Sequence, residues 1–456
     1  MKLKLKKKMR TISIFCKSVV ILLFAGLSMT MVAAQTEKKE QVTKVYGINS
    51  SGSLQIIATL SSNIEILTWD RNEVKVISKL TYDGNENKDD IDKLLNAFKS
   101  MKAQSSKDVL YLNFDLIVSA ISHNNNPSRT IVTTTELCNG DKISINASNI
   151  QTDYTIWIPA TLSVKAESKF GKLKMASIKG DVNLNLSNSS LEMGDFGESG
   201  IFELRFCSNV SIGSGGKTKF SVYNSTVNTA KLKNLNIESR FSKFNIEKTN
   251  DVSLESYNST LIFKMLNDID ASAKFSTIEI NNITGKSKFD FHNSNLFGKN
   301  FQSMEISSAN FSEFSIADIG EIKINLSNNS KYNFATANTF SCKQSRFDLF
   351  KFDEIVVGAL FPDASHTTIN INGTSASFSN FSGNFKFGSV NLKLNPNVKY
   401  NLNYDGTFGQ FDIPRGISLQ NYKSERNGAK TTFQILNVGA TCNIELVTNN
   451  TTFKIE

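Results

Sequence analysis

Polar and apolar residues alternate in short bursts along most of this chain, and the bursts return at a nearly fixed distance. A small residue followed by polar, apolar, polar, apolar stands at Gly171-Lys-Leu-Lys-Met, Ser189-Ser-Leu-Glu-Met, Ser208-Asn-Val-Ser-Ile and Ser225-Thr-Val-Asn-Thr. It returns at Ser242, Ser259, Ser276, Ser294, Ser312, Ser330 and Ser345, with intervals of 18, 19, 17, 17, 17, 17, 18, 18, 18 and 15 residues. Alternation with period two describes a strand with one buried face. Most intervals hold a second such stretch, as at Val182-Asn-Leu-Asn-Leu, Phe202-Glu-Leu-Arg-Phe and Ile322-Lys-Ile-Asn-Leu. Two strands and two turns in 17 to 18 residues make one coil of a β-solenoid, or β-helix, so the fold class is all-β. An antiparallel meander would need Asn-Gly or Asp-Gly turns at the repeat period. Such dipeptides occur only sporadically, as at Asn139-Gly140.

The slots of the repeat predict what each position does. Leu173, Leu191, Val210, Val227, Phe244, Leu261, Ile278, Leu296, Phe314, Tyr332 and Phe347 share one slot and are expected to stack inward. Directly before the serine slot, Asn224, Asn258, Asn293 and Asn329 alternate with Phe241, Phe275 and Phe311. These are expected to form structural turn ladders, with asparagines bonding along the stack. Outward positions such as Lys243, Asn245, Glu279, Lys331 and Arg346 are mixed in sign and offer no aromatic platform. After Phe352 the period loosens, although Thr368-Ile-Asn-Ile and Gly383-Asn-Phe-Lys-Phe suit two further coils. Residues 166–414 are therefore expected to be solenoid and 415–456 capping strands, because an open solenoid end invites polymerisation.

Residues 35–165 are expected to form a β-rich segment interrupted by one helix at about 90–102, capped by Asp89 or Asp90. Ile91, Leu94, Leu95, Phe98 and Met101 fall on one face of that helix. The order Asn63-Ile-Glu-Ile, Trp69-Asp-Arg-Asn-Glu-Val-Lys-Val, helix, Tyr154-Thr-Ile-Trp-Ile-Pro, then Phe170-Gly-Lys-Leu and its repeats resembles a bacterial family. This is the secreted putative-adhesin group, whose members are auto-transporter adhesin head-type β-helix proteins of unknown function. The resemblance spans most of residues 45–410. It implies a β-helix with a surface or periplasmic role, and it carries no catalytic residue with it.

The start of the chain sets an expected address. Lys2, Lys4, Lys6, Lys7, Lys8 and Arg10 precede an apolar stretch from Ser18 to Ala34, and Val32-Ala33-Ala34 suits a signal peptidase. Residues 1–34 are thus expected to be a signal peptide, and the protein to be exported to the periplasm, outer-membrane surface or exterior. Seven of the 51 Lys and Arg residues lie in that segment, which has no Asp or Glu. The remaining chain carries 44 positive and 42 negative residues, so the overall +9 gives no reason to expect nucleic acid as a partner.

Candidate chemistry is sparse, and no catalytic residue, cofactor or metal ligand is expected. Gly213-Ser-Gly-Gly-Lys217-Thr218 imitates a phosphate loop, but Ser211 stands where its first glycine belongs and a strand pattern follows. Asp83-Gly-Asn85-Glu-Asn87-Lys88-Asp89-Asp90 has oxygen donors, yet Lys88 and Leu94 occupy the glycine and glutamate positions of a calcium loop. His123, His292 and His366 are isolated in sequence. Cys342 shares a second-strand slot with Ile324 and Ile306 and is expected to be a buried free thiol, too far from Cys207 for a disulfide. The pairing of Cys138 and Cys442 stays open. The expectation is a non-enzymatic exported protein, a cell-surface adhesin or envelope scaffold, with a cell-surface, glycan or protein partner. The alternative is a polysaccharide-acting β-helix enzyme using carboxylates such as Glu279 and Glu313, placed two coils apart. Ice binding would require regular Thr-x-Thr arrays, which the sequence lacks.

Overall fold

The computed structural model describes residues 37–59, 62–84, 86–125, 130–146, 149–412 and 422–456. The expected signal peptide, residues 1–34, lies outside the described residues. The chain divides into two compact units: one takes residues up to 44 with 76–102 and 114–154, the other takes 45–75, 103–113 and 155–456.

The larger unit is a β-solenoid of about 18 residues per coil. Strands pair in parallel register with the strand one coil away: Leu173 meets Leu191, which meets Val210, and the run continues through Val227 and Phe244. Leu261, Ile278, Leu296, Phe314 and Tyr332 carry it onward, and every one of these side chains is buried. A strand whose neighbours both pair in parallel can bury its alternate residues as continuous columns, which is how one short pattern fills the core. At the next coil the expectation fails by three residues. Tyr332 pairs with Phe350, not Phe347, so the coil is 18 residues long and the serine slot is filled by Asp348. Phe347 lies outside the core.

One corner is held by a buried serine in six successive coils, and in the coil before them Cys207, not Ser208, takes the slot. Ser225, Ser242, Ser259, Ser276, Ser294 and Ser312 each donate a hydroxyl to the carbonyl two residues earlier, at 2.7 to 3.0 Å. Each of those hydroxyls also accepts a backbone N–H from the preceding coil at 2.8 to 3.2 Å. Buried hydroxyls satisfied on both sides cost little and fix the corner. Gly171 occupies this slot where a side-chain carbon would collide with the Ser62 carbonyl oxygen.

Stacking order departs from chain order at both ends of the solenoid. Ser53–Ala58 lies between Val109–Asn113 and Ser163–Lys169, and Ser62–Trp69 pairs with Lys172–Met175. Coil geometry is thus present ahead of residue 166. At the other end, Cys442–Asn449 and Thr452–Ile455 insert between the coil at 380–392 and the coil at 400–412. Tyr400–Thr407 then bonds antiparallel to Lys430–Ile435, whose hairpin partner is Tyr422–Asn427.

The smaller unit packs one helix, Lys88–Lys99 (α1), with a three-stranded antiparallel sheet of Ile117–Asn125, Thr130–Leu137 and Lys142–Ile143. Its core includes Leu80, Tyr82, Leu94, Phe98, Leu116 and Leu137, with Ile91, Leu95 and Met101 at the margin. Asn87, not Asp89 or Asp90, caps the helix, its side chain accepting the Asp89 N–H at 2.8 Å. The two aspartates lie in the first turn, where their charge favours the helix N-terminus. Asn139-Gly140 does make a hairpin turn, here in the smaller unit, with Gly140 at φ +88°.

Candidate functional site: an aromatic corner

The residue directly before the serine slot is left-handed in coil after coil from Phe170 onward. Fifteen non-glycine residues with φ between 46° and 57° occur among the described residues, and all occupy this corner. Taken in stacking order they are Phe170, Asn188, Phe206, Asn224, Phe241, Asn258, Phe275, Asn293, Phe311, Asn329, Phe347, His366, Phe387, Asn450 and Phe408. Phenylalanine strictly alternates with asparagine or, once, histidine. The inserted coil supplies Asn450 between Phe387 and Phe408 and so preserves the alternation. The backbone of the corner is closed, since the corner N–H groups donate to a carbonyl of the next coil, as Phe241 does to Tyr257 at 3.0 Å and Asn258 to Lys274 at 2.9 Å, and the last, Phe408, donates to Ala429 at 3.0 Å.

All eight corner phenylalanines are exposed, at 45% to 66% of their surface. The expected asparagine ladder does not form at this corner, because a phenylalanine coil always separates two asparagine coils. Short asparagine stacks occur elsewhere instead, as between Asn245 and Asn228 at 2.7 Å.

In six successive coils the preceding position alternates in the complementary sense. Arg205, Arg240 and Lys274 come before phenylalanines, while Tyr223, Tyr257 and His292 come before asparagines, and these six stand in one register row. Phe206, Tyr223, Phe241, Tyr257, Phe275, His292 and Phe311 therefore form an unbroken exposed row. Neighbouring rings lie 5.3 to 6.4 Å apart with planes at 73° to 89°. This edge-to-face arrangement is a favoured one for aromatic pairs. A second run stacks His366 between Phe347 and Phe387 at 4.6 and 5.1 Å, with the His366 Nδ1 3.0 Å from the Ser365 hydroxyl.

An open depression of about 460 Å³ lies along the first run, bordered by Tyr223, Phe241, Tyr257, Glu238, Glu255 and Lys274. Glu238 and Glu255 are register neighbours on one side of the rings. On the other side, just past the serine slot, Thr226, Lys243, Thr260, Thr277 and Asn295 form a polar row.

Other sequence candidates fall elsewhere. Glu313 stands in register with Thr277 and not with Glu279, whose row runs through Phe297 to Ser315, so the two glutamates share no slot. The strand Lys217–Tyr223 follows Gly213–Gly216 as expected. Cys342 pairs with Ile324 in the core, and burial beside Asp348 pushes its thiol well above the ordinary range. Cys138, Cys207 and Cys442 are free as well. Trp69 and Trp157, from the segments that suggested a family, lie 6.1 Å apart, with Arg71 over the Trp69 ring at 5.2 Å. Those motifs serve packing. The alternation of Phe and Asn in this slot is visible in the sequence, where it predicts a structural turn ladder. What the sequence reading missed is that the rings are exposed and meet tyrosines, an outward aromatic row where none was expected.

No family model and no curated protein matches the chain. Among solved structures, a putative cell adhesion protein from Clostridium sporogenes is 9% identical over 92% of this chain and 100% of its own, with a TM-score of 0.15. A putative adhesin from Bacteroides fragilis is 13% identical over 66% of this chain and 98% of its own, with a TM-score of 0.19. A putative lipid binding protein from Parabacteroides distasonis is 9% identical over 65% and 97%, with a TM-score of 0.21.

Proposed function

We propose that this protein is a non-enzymatic binding scaffold, exported from the cell, that presents the aromatic corner of its solenoid to a surface or envelope partner. The observation that carries this is the set of eight exposed phenylalanines in left-handed backbone. A bulky residue there costs about 1–2 kcal/mol, and asparagine, which tolerates the conformation, occupies alternate coils of the same corner. Placing an apolar ring where it is both strained and wet, eight times in register, supports selection for contact and not for folding. Many weak, identical contacts along one rigid row suit adhesion or matrix building. The basic and apolar start of the chain supports export.

The test has two parts. An epitope placed at Asn427, in the exposed hairpin turn, is expected to be cleaved when intact cells are treated with protease. Protection until permeabilisation would assign the scaffold to the periplasm and remove the adhesin reading. Purified protein is expected to bind cells or isolated envelope, and the triple substitution Phe241→Asn, Phe275→Asn, Phe311→Asn to abolish it. Equal binding by this variant would rule out the corner as the binding face.

A further inference from the structure

We propose that the occupant of the aromatic corner is a polysaccharide: an extended, β-linked hexopyranose chain lying along the stack, about one sugar ring per coil. This deepens, and rests on, the binding-scaffold reading above. Coils rise by about 4.8 Å, so the two-coil period of the corner is about 9.6 Å. An extended β-linked chain advances by about one coil height per sugar and repeats every second sugar, as its rings flip. Between Phe206 and Asn293 the protein shows the same doubling, with Phe and a cation on one coil and Asn and Tyr or His on the next.

The chemistry across the row agrees with the spacing. A pyranose has C–H faces and hydroxyl edges. The faces gain by covering exposed rings, and the edges need donors and acceptors on both flanks. Here the rings alternate between the corner and the register row before it, where Arg240 and Lys274 stand between the tyrosines; Glu238 and Glu255 lie on one side and Thr226, Lys243, Thr260 and Thr277 on the other. A bilayer would call for a broad apolar face with a basic surround, and carboxylates border this one. A peptide adding as a strand would need free backbone groups, and the corner N–H groups are already bonded from coil to coil.

The experiment titrates the purified protein with cellohexaose and chitohexaose by calorimetry. In parallel it runs the protein in gels cast with soluble cellulose and chitin derivatives, with phosphatidylcholine–phosphatidylglycerol vesicles as the comparison. The expected result is binding of at least one hexasaccharide, tighter than of the matching disaccharide. Each Phe→Asn substitution at 241, 275 or 311 should weaken it about three- to tenfold, and the triple variant roughly a hundredfold. Tyr223→Ser with Tyr257→Ser should weaken it as well, while leaving the corner backbone unchanged. Sugar binding that survives in the triple variant would overturn the proposal by moving the site elsewhere. If no saccharide binds, but envelope binding is still lost in the triple variant, the polysaccharide is wrong and the binding corner stands. Binding of vesicles in place of sugars would make the occupant a lipid. Should the triple variant bind envelope like wild type, the underlying reading fails first.

Discussion

Phe241 and Asn258 do the same backbone work on successive coils, and comparing them separates folding from function. Both adopt left-handed φ, and both sit between an outward residue and a buried serine. Replacing Phe241, Phe275 and Phe311 by asparagine relieves about 1–2 kcal/mol of steric cost at each site. It forfeits edge-to-face ring contacts of about 0.5–1.5 kcal/mol each. These terms offset, so the triple variant is expected to melt within a few degrees of wild type, which scanning calorimetry would check. Asp348 offers a different test. It replaces serine in the corner column, and burial raises its carboxyl to about 6, although its bonds from Ser345 and the N–H groups of Ser330 and Arg346 oppose the shift. An acid raised from 3.8 on folding is held most favourably when protonated. Its contribution is therefore full below pH ~4 and lost as pH climbs through ~6, by up to about 3 kcal/mol. Asp348→Ser should be more stable than wild type at pH 7, and the difference should shrink toward pH 4 in urea titrations. The sequence placed the corner residues in one turn slot but not their outward aromatic face, because a left-handed residue breaks the in–out alternation: Arg240 and Phe241 both face solvent before Ser242 turns inward.

Single coils were legible because each carries its own alternating strands and serine corner, and the inward columns followed directly from them. The misplacement of Phe347 shows the limit: with Asp348 in the serine slot, the nearest upstream serine, Ser345, supplied a false register. The helix was legible from its apolar face, while its cap was shifted from Asp89 or Asp90 to Asn87. The larger repeat, two coils and not one, carries a prediction of its own. Nearest-neighbour stacking lets a solenoid lose a coil and still fold. Deleting residues 241–274 joins Arg240 to Phe275 and keeps the ring row continuous, whereas deleting 241–257 joins Arg240 to Asn258 and leaves a coil without a ring. Both variants are expected to show wild-type circular dichroism. Only the two-coil deletion should retain envelope binding in a pull-down.

Across the larger unit, the order in which coils stack could not be read from the order in which they are written. Nothing in Cys442-Asn-Ile-Glu-Leu distinguishes a coil at the end of a stack from one between two others. In the structure that segment gives both edges of Cys442–Asn449 to neighbours, Asn380–Lys386 on one side and Tyr400–Thr407 on the other. Removing residues 442–456 should therefore uncouple the 400–435 region from the remaining coils. Limited proteolysis is expected to clip that region rapidly in the truncated protein and slowly in the intact one.

The same placement decides how the solenoid resists load. A coil at the open end of a stack has one hydrogen-bonded edge and can be peeled away one bond at a time. The strand at 442–449 is gripped along both edges, so tension drawn through it along the strand direction must shear two rows of bonds together before anything unwinds.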